Sequence, residues 1–115
     1  MKIRIKDNSV RFRLAEDEVN ALVKEGETWS KCNFGTGELI YGIKATDADE
    51  ISCVFENNKV TTRVPKNLLV SWDTDQRVGF DHNNDGLFIL IEKDWQCLKP
   101  RAHEDESNLY VNPQA

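Results

Sequence analysis

KIRIKDNSVRFRLAEDEV at residues 2–19 and SCVFENNKVTTRVPKNLL at residues 52–69 are two versions of one pattern, and this pair of stretches decides the fold. Laid over each other at a constant offset of 50 positions, they align Asn8 with Asn58 and place apolar residues opposite apolar residues. A unit that is repeated within a chain usually completes its core against the next copy. The repeat therefore predicts two half-cores that share one interior.

Each half, residues 1–48 and residues 51–94, is predicted to run from a hairpin through a short helix to a second hairpin. In the first hairpin, apolar and charged residues alternate on both sides of Asp7 and Asn8, which is typical of two strands with one buried face. A chain of 115 residues is long enough for one domain, and we expect that domain to span residues 1–95.

The sequence also contains signals for the two helices and for the last turn. Acidic residues crowd the start of residues 15–25, where the helix dipole favours negative charge, and Gly26 is suited to end that helix. Pro65 can begin the second helix, because its missing N–H costs little at that point, and Trp72 would lie on the buried face. Residues 81–86 are rich in Asp, Asn and Gly and predict a turn.

The charge of the sequence is unevenly distributed. The formal net charge is −5, yet the first hairpin has five basic residues and a single acidic residue, Asp7. Because side chains alternate along a strand, the basic residues of this hairpin should share one face. Such a face can bind phosphate groups through charge-assisted hydrogen bonds. The candidate anion-binding residues are Lys2, Arg4, Lys6, Arg11 and Arg13.

The sequence also contains an internal partner for this basic face. The acidic run of residues 104–106, Glu-Asp-Glu, could fold back and satisfy the same side chains within the chain. The face would then be a structural ion-pair network, and exposed pairs of this kind are individually weak. Both interpretations stay open at the level of sequence.

The second half contains RVPK at residues 63–66, followed by VGF at residues 78–80 and GLFIL at residues 86–90. In this order and spacing, within residues 59–92, they resemble the swapped-hairpin module of the AbrB/MazE type, in which a strand, a short helix and a second hairpin make half of an interlocked barrel. Two such halves in one chain imply a mainly β (α+β) fold, a pseudo-two-fold, swapped-hairpin-like antiparallel barrel. An extended, partly docked tail would follow at residues 96–115.

The resemblance implies a function as well. That family mostly binds DNA through basic residues on the outer face of the first hairpin. A two-fold DNA reader needs both half-sites, and the second half supplies few basic residues at the matching positions. DNA nevertheless remains the leading named candidate. The matching positions are Arg4, Lys6, Arg11 and Arg13 in the first half, and Val54, Glu56, Thr61 and Arg63 in the second half.

The end of the chain carries a second resemblance. KDWQCL at residues 93–98, with Arg101 and the acidic run of residues 104–106, is similar to the end of a small, uncharacterised family of bacterial proteins. This resemblance implies no activity. It favours an unassigned small bacterial domain.

A calcium site is one hypothesis for residues 81–92, which match the calcium-loop pattern with oxygen-bearing side chains at alternate positions. The apolar run of residues 87–91 reads as a strand, however, and an extended strand would hold Glu92 too far from the loop to close the site. Asn, Asp and Gly are also what an ordinary hairpin turn requires. The pattern is therefore more typical of a polar turn than of a calcium loop.

A transition-metal site is a second hypothesis, in which Cys97, His103 and Asp105 combine with neighbouring carboxylates or with His82. The opposing interpretation is a buried cysteine that anchors the tail beside a solvated acidic patch. A metal- or phosphoanion-dependent enzyme built around Cys97, His103 and the acidic tail is the alternative class of function. The sequence has no motif for a bound cofactor or for a nucleophile with its base, so we expect no cofactor and favour a protein without catalysis.

The remaining features concern the compartment and the partners. The three cysteines are odd in number and widely spaced, which predicts reduced thiols and a cytoplasmic protein. No apolar run is long enough for an export signal or a membrane span. We therefore expect a non-enzymatic binding domain whose basic first hairpin contacts nucleic acid or another anionic ligand. It would act as a monomer that imitates a dimer, or as a homodimer.

Overall fold

The structure, a computed structural model, describes residues 1–95 of the chain. A mainly β fold with two helices, as expected from the sequence, is confirmed in these residues. Neither helix of the described part is long and apolar enough to cross a membrane. In chain order the elements are β1 (Lys2–Lys6), β2 (Ser9–Leu14), α1 (Glu16–Glu25), β3 (Glu27–Asn33), β4 (Glu38–Thr46), β5 (Ser52–Glu56), β6 (Lys59–Pro65), α2 (Lys66–Leu69), β7 (Gly79–Asn84) and β8 (Leu87–Lys93).

The eight strands form two four-stranded sheets. The first sheet has the strand order β1-β2-β8-β7, and the second has the order β3-β4-β6-β5. The outer pairs in both sheets are antiparallel hairpins. The middle pairs are parallel: β2 runs beside β8, and β4 runs beside β6. Each sheet is therefore made of two hairpins that a single parallel pair joins.

The closed antiparallel barrel that the sequence suggested is not observed. Within residues 1–95, no strand pairing links an edge of one sheet to an edge of the other, so both sheets stay open. The alternation of apolar and polar residues specifies which face of a strand is buried, but it does not specify which strands pair. For the same reason the two parallel pairings could not be read from the pattern.

The inner faces of the two sheets share one core. Val10, Phe12 and Leu14 of β2 are at most 5% exposed, and Ile89 and Ile91 of the neighbouring β8 are fully buried. Because strand side chains alternate, the residues between them face outward. The rest of the core consists of Val19, Leu22, Ile43, Ile51, Val60, Val64, Leu69 and Trp72, drawn from both helices, the second sheet and the segments before β5 and after α2.

Helix α1 begins and ends where the sequence predicts. The Glu18 carboxylate accepts a hydrogen bond of 2.8 Å from the backbone N–H of Ala15, which satisfies one of the donors left open at a helix start. Gly26 follows the helix with φ of +86°, and its N–H donates to the carbonyl of Leu22 at 3.1 Å. A left-handed residue at this position favours glycine, since it has no Cβ to clash.

Helix α2 is a single turn, and a polar network holds the chain that follows it. The Arg77 guanidinium donates to the carbonyls of Leu68 and Val70 at 2.7 and 2.8 Å, and to the Asp75 carboxylate at 2.6 Å. The indole N–H of Trp72 donates to the carbonyl of Arg77 at 3.0 Å, while its ring is fully buried. These bonds fix the connection between α2 and β7.

The last hairpin differs from the sequence prediction. The turn predicted over residues 81–86 contains only Asp85 and Gly86, with φ of +53° and +95°, and β7 continues as a strand to Asn84. The Asn83 side chain accepts a hydrogen bond of 2.9 Å from the N–H of Gly86. Two residues with positive φ match the twist of a tight hairpin, so polar residues before them can remain in the strand.

Replacing Phe12 by alanine should destabilise the protein strongly, because this side chain is fully buried between the sheets. We expect a loss of about 3–5 kcal/mol in the free energy of unfolding, measured by urea denaturation. The matched control is Phe55→Ala, since Phe55 is 67% exposed and should lose less than about 1 kcal/mol. Equal losses at the two positions would contradict the assignment of the core.

Replacing Asp75 by asparagine should remove a pH-dependent contribution to stability. Desolvation raises the pKa of Asp75, but hydrogen bonds from Arg77 and the charges of Arg77 and Lys93 lower it below its ordinary value of 3.8. The ionised carboxylate therefore stabilises the fold fully above that value, and this contribution is lost as the pH falls through the lowered pKa.

Urea titrations of the wild type and of Asp75→Asn at a series of acidic pH values measure this effect. The difference in unfolding free energy between the two proteins should shrink as the pH falls below about 4. In an Arg77→Gln background, the main cause of the lowered pKa is gone, and the difference should be smaller throughout. A difference that grows on acidification would show that the Asp75 carboxylate does not stabilise the fold.

Candidate functional site

The outer face of the first sheet collects the basic residues of the first hairpin. The register places Lys2 opposite Arg13 and Arg4 opposite Arg11, on the side away from the buried Phe12. The structure thus brings the five predicted anion-binding residues together. The outward-facing residues of this sheet, the first outer face, are Lys2, Arg4, Lys6, Ser9, Arg11, Arg13, Gly79, Asp81, Asn83, Phe88, Leu90 and Glu92.

Glu92 holds two of these basic side chains in place. Its Oε1 atom accepts hydrogen bonds from Nε of Arg11 at 2.6 Å and from Nε of Arg13 at 2.9 Å. The Glu92 side chain is only 13% exposed, so solvent screens these charge-assisted bonds less than it would screen a surface pair. Like charges opposite each other destabilise a sheet, and Glu92 offsets that repulsion at this end of the face.

Arg4 and Lys6 occupy the other end of the face. Both are exposed, and neither forms an ion pair with a carboxylate of residues 1–95. A shallow groove of about 170 Å³ lies beside them, lined also by Arg11, Phe88 and Leu90. This end therefore presents positive charge without a described internal counter-charge, next to apolar surface.

The basic face of the first hairpin does form ion pairs within the chain, but the observed carboxylates are not those of residues 104–106 that the sequence suggested. Glu92 binds two arginines from the neighbouring strand, and Asp94 contacts the ammonium group of Lys2 at 2.8 Å. The acidic run of residues 104–106 lies outside the described residues. The sequence could not indicate Glu92 as the partner, because that depends on the parallel pairing of β2 with β8.

The outer face of the second sheet contains an aromatic feature that sequence reasoning missed. The indole of Trp29 covers Gly42, where a Cβ atom would lie only 2.2 Å from a ring carbon. The indole N–H donates to Glu27 Oε1 at 2.7 Å, and the ammonium group of Lys59 lies 4.3 Å from the ring centroid. These contacts hold Trp29 on the surface of the sheet, half-buried, outside the core.

Four basic residues surround this indole. Lys31, Lys44 and Lys59 are exposed and Arg63 is half-buried, and none of them forms an ion pair with a described carboxylate. Lys44 lies directly opposite Arg63 across the parallel pair. The second outer face consists of Glu27, Trp29, Lys31, Asn33, Glu38, Ile40, Gly42, Lys44, Thr46, Ser52, Val54, Glu56, Lys59, Thr61 and Arg63.

The sequence predicted few basic residues at the matching positions of the second half, because only the hairpin of β5 and β6 was considered there. Lys31 and Lys44 belong to the hairpin of β3 and β4, and the pairing of β4 with β6 brings them beside Arg63. One sequence signal could have indicated this face. Trp29 and Lys31 are two residues apart and therefore lie on the same face of a strand.

The two outer faces separate the charges of the protein. Together they contain nine of the 15 basic residues but only five of the 20 acidic ones. The rest of the chain is correspondingly acidic. The net charge of −5 therefore conceals two positively charged surfaces.

The predicted metal sites receive no support from the described residues. Glu92 pairs with Gly79 across the hairpin and binds two arginines, so it is directed away from the turn of the calcium-loop pattern. Within residues 1–95, no group of three or more His, Cys, Asp or Glu side chains could hold a metal ion. Cys97, His103 and Asp105 lie outside the described residues.

The surroundings of Cys53 do not activate it as a nucleophile. Burial raises the pKa of the Cys53 thiol, an effect that a 3.4 Å hydrogen bond from the Thr62 hydroxyl opposes only in part. The thiol is therefore protonated at neutral pH, and only the thiolate is a nucleophile. Cys32 is exposed, and both cysteines are free thiols.

Comparison with known proteins gives one match. The model of a protein family described as "Family of unknown function (DUF7009)" matches residues 1–114. No curated protein and no solved structure matches the chain. The match agrees with an uncharacterised family as implied by the tail, and it neither supports nor opposes the AbrB/MazE-type resemblance.

Replacing Gly42 by alanine should destabilise the second sheet and displace Trp29. The new Cβ would lie 2.2 Å from the indole and 2.6 Å from the backbone carbonyl oxygen of Thr28, so moving the ring alone cannot relieve the clash. We expect a loss of about 1–3 kcal/mol in the free energy of unfolding, measured by urea denaturation.

Gly37→Ala provides the matched control for this substitution. A Cβ atom at Gly37 meets nothing within 4 Å, so stability should change by less than about 0.5 kcal/mol. If Gly42→Ala were as stable as the wild type, the close packing of Trp29 on the sheet would be wrong.

Proposed function

The chain belongs to this family of unknown function, and we propose that it is a non-enzymatic binding domain whose first outer face binds a polyanion, with duplex DNA as the best-fitting ligand. The observation that carries the proposal is the pair of exposed cations, Arg4 and Lys6. Neither has a carboxylate partner among residues 1–95, although they lie on the same face as arginines that Glu92 has fixed.

The arrangement suits phosphate groups because part of the face is already ordered. A guanidinium group has five N–H donors, and Glu92 accepts from only some of those of Arg11. Arg11 can therefore keep its contact with Glu92 and still donate to a phosphate oxygen in the groove beside Arg4. A side chain that is ordered in advance loses less conformational entropy on binding.

The position of the face in the sheet favours a duplex. Strand β1 is the edge strand of the first sheet, so the β1–β2 hairpin can approach a ligand as a two-stranded ribbon. The major groove of B-DNA admits a ribbon of this kind. Lys2, Arg4 and Lys6 alternate along the edge strand and would contact the phosphates, while Phe88 provides apolar surface next to them.

Like-charge pairs on this face also favour a binding role. Lys2 opposite Arg13 and Arg4 opposite Arg11 both place two cations side by side across β1 and β2. Such pairs lower the stability of a sheet. Asp94 and Glu92 offset the repulsion at Lys2, Arg11 and Arg13, whereas Arg4 has no described carboxylate partner, so a polyanion would relieve the repulsion that remains there.

A two-copy organisation like that implied by the AbrB/MazE-type resemblance, without the closed barrel, is a further part of the proposal, with residues 1–48 and 51–94 as the two copies. The hairpin registers support it, because Lys2 pairs with Arg13 in β1–β2 and Ser52 pairs with Arg63 in β5–β6. Both partners are shifted by the same 50 positions.

Backbone hydrogen bonds between the hairpins support the same relation. The N–H of Phe88 donates to the carbonyl of Asn8, and the N–H of Ile40 donates to the carbonyl of Asn58, both at 3.0 Å. Each of these bonds joins the turn of one half to a strand of the other half. Under an approximate two-fold axis, the first outer face would correspond to the second, and both would carry cations.

Neutralising Arg4 and Lys6 should weaken the binding of duplex DNA. We expect the variant Arg4→Gln/Lys6→Gln to bind a labelled duplex more weakly than the wild type at low salt, measured by fluorescence anisotropy. Each lost phosphate contact should also reduce the slope of log K against log salt by about 0.9, so the double variant should flatten the slope by about 2.

The matched control is Lys24→Gln/Lys66→Gln, which removes the same charge from two residues that line a separate hollow. This control should retain the slope of the wild type and most of its affinity. Equal losses in the two double variants would mean that only net charge matters. The absence of any binding by the wild type at about 50 mM salt would refute the proposal.

A further inference from the structure

We propose that the second outer face is a separate site for single-stranded nucleic acid, in which a base stacks on Trp29 and the surrounding cations bind the flanking phosphates. This site is on the other sheet from the proposed duplex site and shares no residue with it. It rests on two independent observations, the fixed indole and the ring of basic side chains around it.

The indole of Trp29 is a rigid platform. Its ring packs on Gly42, where no side chain could fit, and its N–H is held by Glu27 at 2.7 Å. A ring fixed in this way loses little freedom when a ligand stacks on it. The ammonium group of Lys59, 4.3 Å from the ring centroid, belongs to an exposed, flexible side chain. Lys59 can therefore yield its place over the ring to a base and bind a phosphate.

The cations are arranged in two rows on either side of the indole. Lys44 and Arg63 form the row on one side, and Lys31 and Lys59 belong to the row on the other side. Residues two positions apart on a strand are about 7 Å from each other, so both rows are within reach of the backbone of a strand whose base lies on Trp29. The same rows contain Glu27 and Glu56, so the cations exceed the carboxylates by two. Cations beside an aromatic platform are the arrangement that binds single strands in general.

Stability alone explains only part of this face. An aromatic side chain that covers a glycine in a sheet is a known stabilising device, and it accounts for Trp29 on Gly42. It does not account for the cations. Lys44 lies between Glu27 and Arg63 in the register, so Glu27 can offset only part of the repulsion between the two cations, and neither cation forms an ion pair with a described carboxylate.

A single strand fits this site better than a duplex does. The bases of a duplex are stacked on each other, so their faces are not accessible to an indole on a sheet surface. In a single strand, bases can be splayed out and stacked on aromatic side chains. An uncharged ligand would gain nothing from the four cations.

The test compares two strands that have the same phosphates. One is a labelled oligothymidine of about 15 nucleotides, and the other is a strand of equal length in which every base is replaced by an abasic unit. Anisotropy titrations should show that the wild type binds the oligothymidine more tightly. Trp29→Leu should weaken that binding by about 10-fold and leave the abasic strand unchanged.

Three further variants make the result specific. Trp29→Phe keeps an aromatic ring and should retain most of the preference for the strand with bases, which also guards against loss of folding in Trp29→Leu. Lys31→Gln/Lys44→Gln should weaken both strands, because it removes phosphate contacts. Lys24→Gln/Lys66→Gln removes the same charge elsewhere and should change neither strand by more than about 2-fold.

The two proposals can fail separately. Arg4→Gln/Lys6→Gln should keep the preference for bases over abasic units, and Trp29→Leu should keep duplex binding. Equal affinity of the wild type for the two strands would overturn the stacking site and leave a face that attracts polyanions only. A circular dichroism spectrum like that of the wild type, combined with undiminished binding by Trp29→Leu, would overturn it as well.

Discussion

The two parallel strand pairs, β2 with β8 and β4 with β6, are the constraint on which the rest of the structure depends. A two-stranded hairpin is marginal in water, and each parallel pair joins two hairpins into a sheet wide enough to bury one face. The same pairs compose the outer faces. The β2–β8 pair places Glu92 beside Arg11 and Arg13. The β4–β6 pair places Lys59 beside the β3–β4 hairpin, which contains Trp29.

The strand pairing also determines which charges are neighbours. Several of these neighbours have like charges, which lowers the stability of the sheets. Both outer faces contain cations opposite cations, such as Arg4 with Arg11 and Lys44 with Arg63. Glu92 relieves the repulsion at one end of one face, while most of the acidic residues lie on other surfaces. A protein with a net charge of −5 repels polyanions at a distance, so any such ligand must be bound through a local positive face and in a salt-dependent manner.

Trp29 and Trp72 have different structural roles, and the sequence indicated only one of the two. The sequence predicts that Trp72 is buried, and it assigns no role to Trp29. In the structure Trp72 is fully buried, and its N–H reaches the carbonyl of Arg77, whereas Trp29 lies on the outer surface of a sheet over Gly42. A large aromatic residue gains from burial in either place. Trp29 packs on the sheet because its cross-strand neighbour is Gly42, and that neighbour is fixed by strand pairing.

Local patterns in the sequence were sufficient to determine the mainly β class, the start and end of α1 and the common face of the five basic residues of the first hairpin. Each of these depends on residues close together in the chain, such as the alternation around Asp7 or the glycine at position 26. The open sheets, the parallel pairs, the role of Glu92 and the second basic face with Trp29 were decided only by the tertiary structure. They arise from contacts between residues as far as 81 positions apart, such as Arg11 and Glu92, and alternation within one strand does not encode its partner.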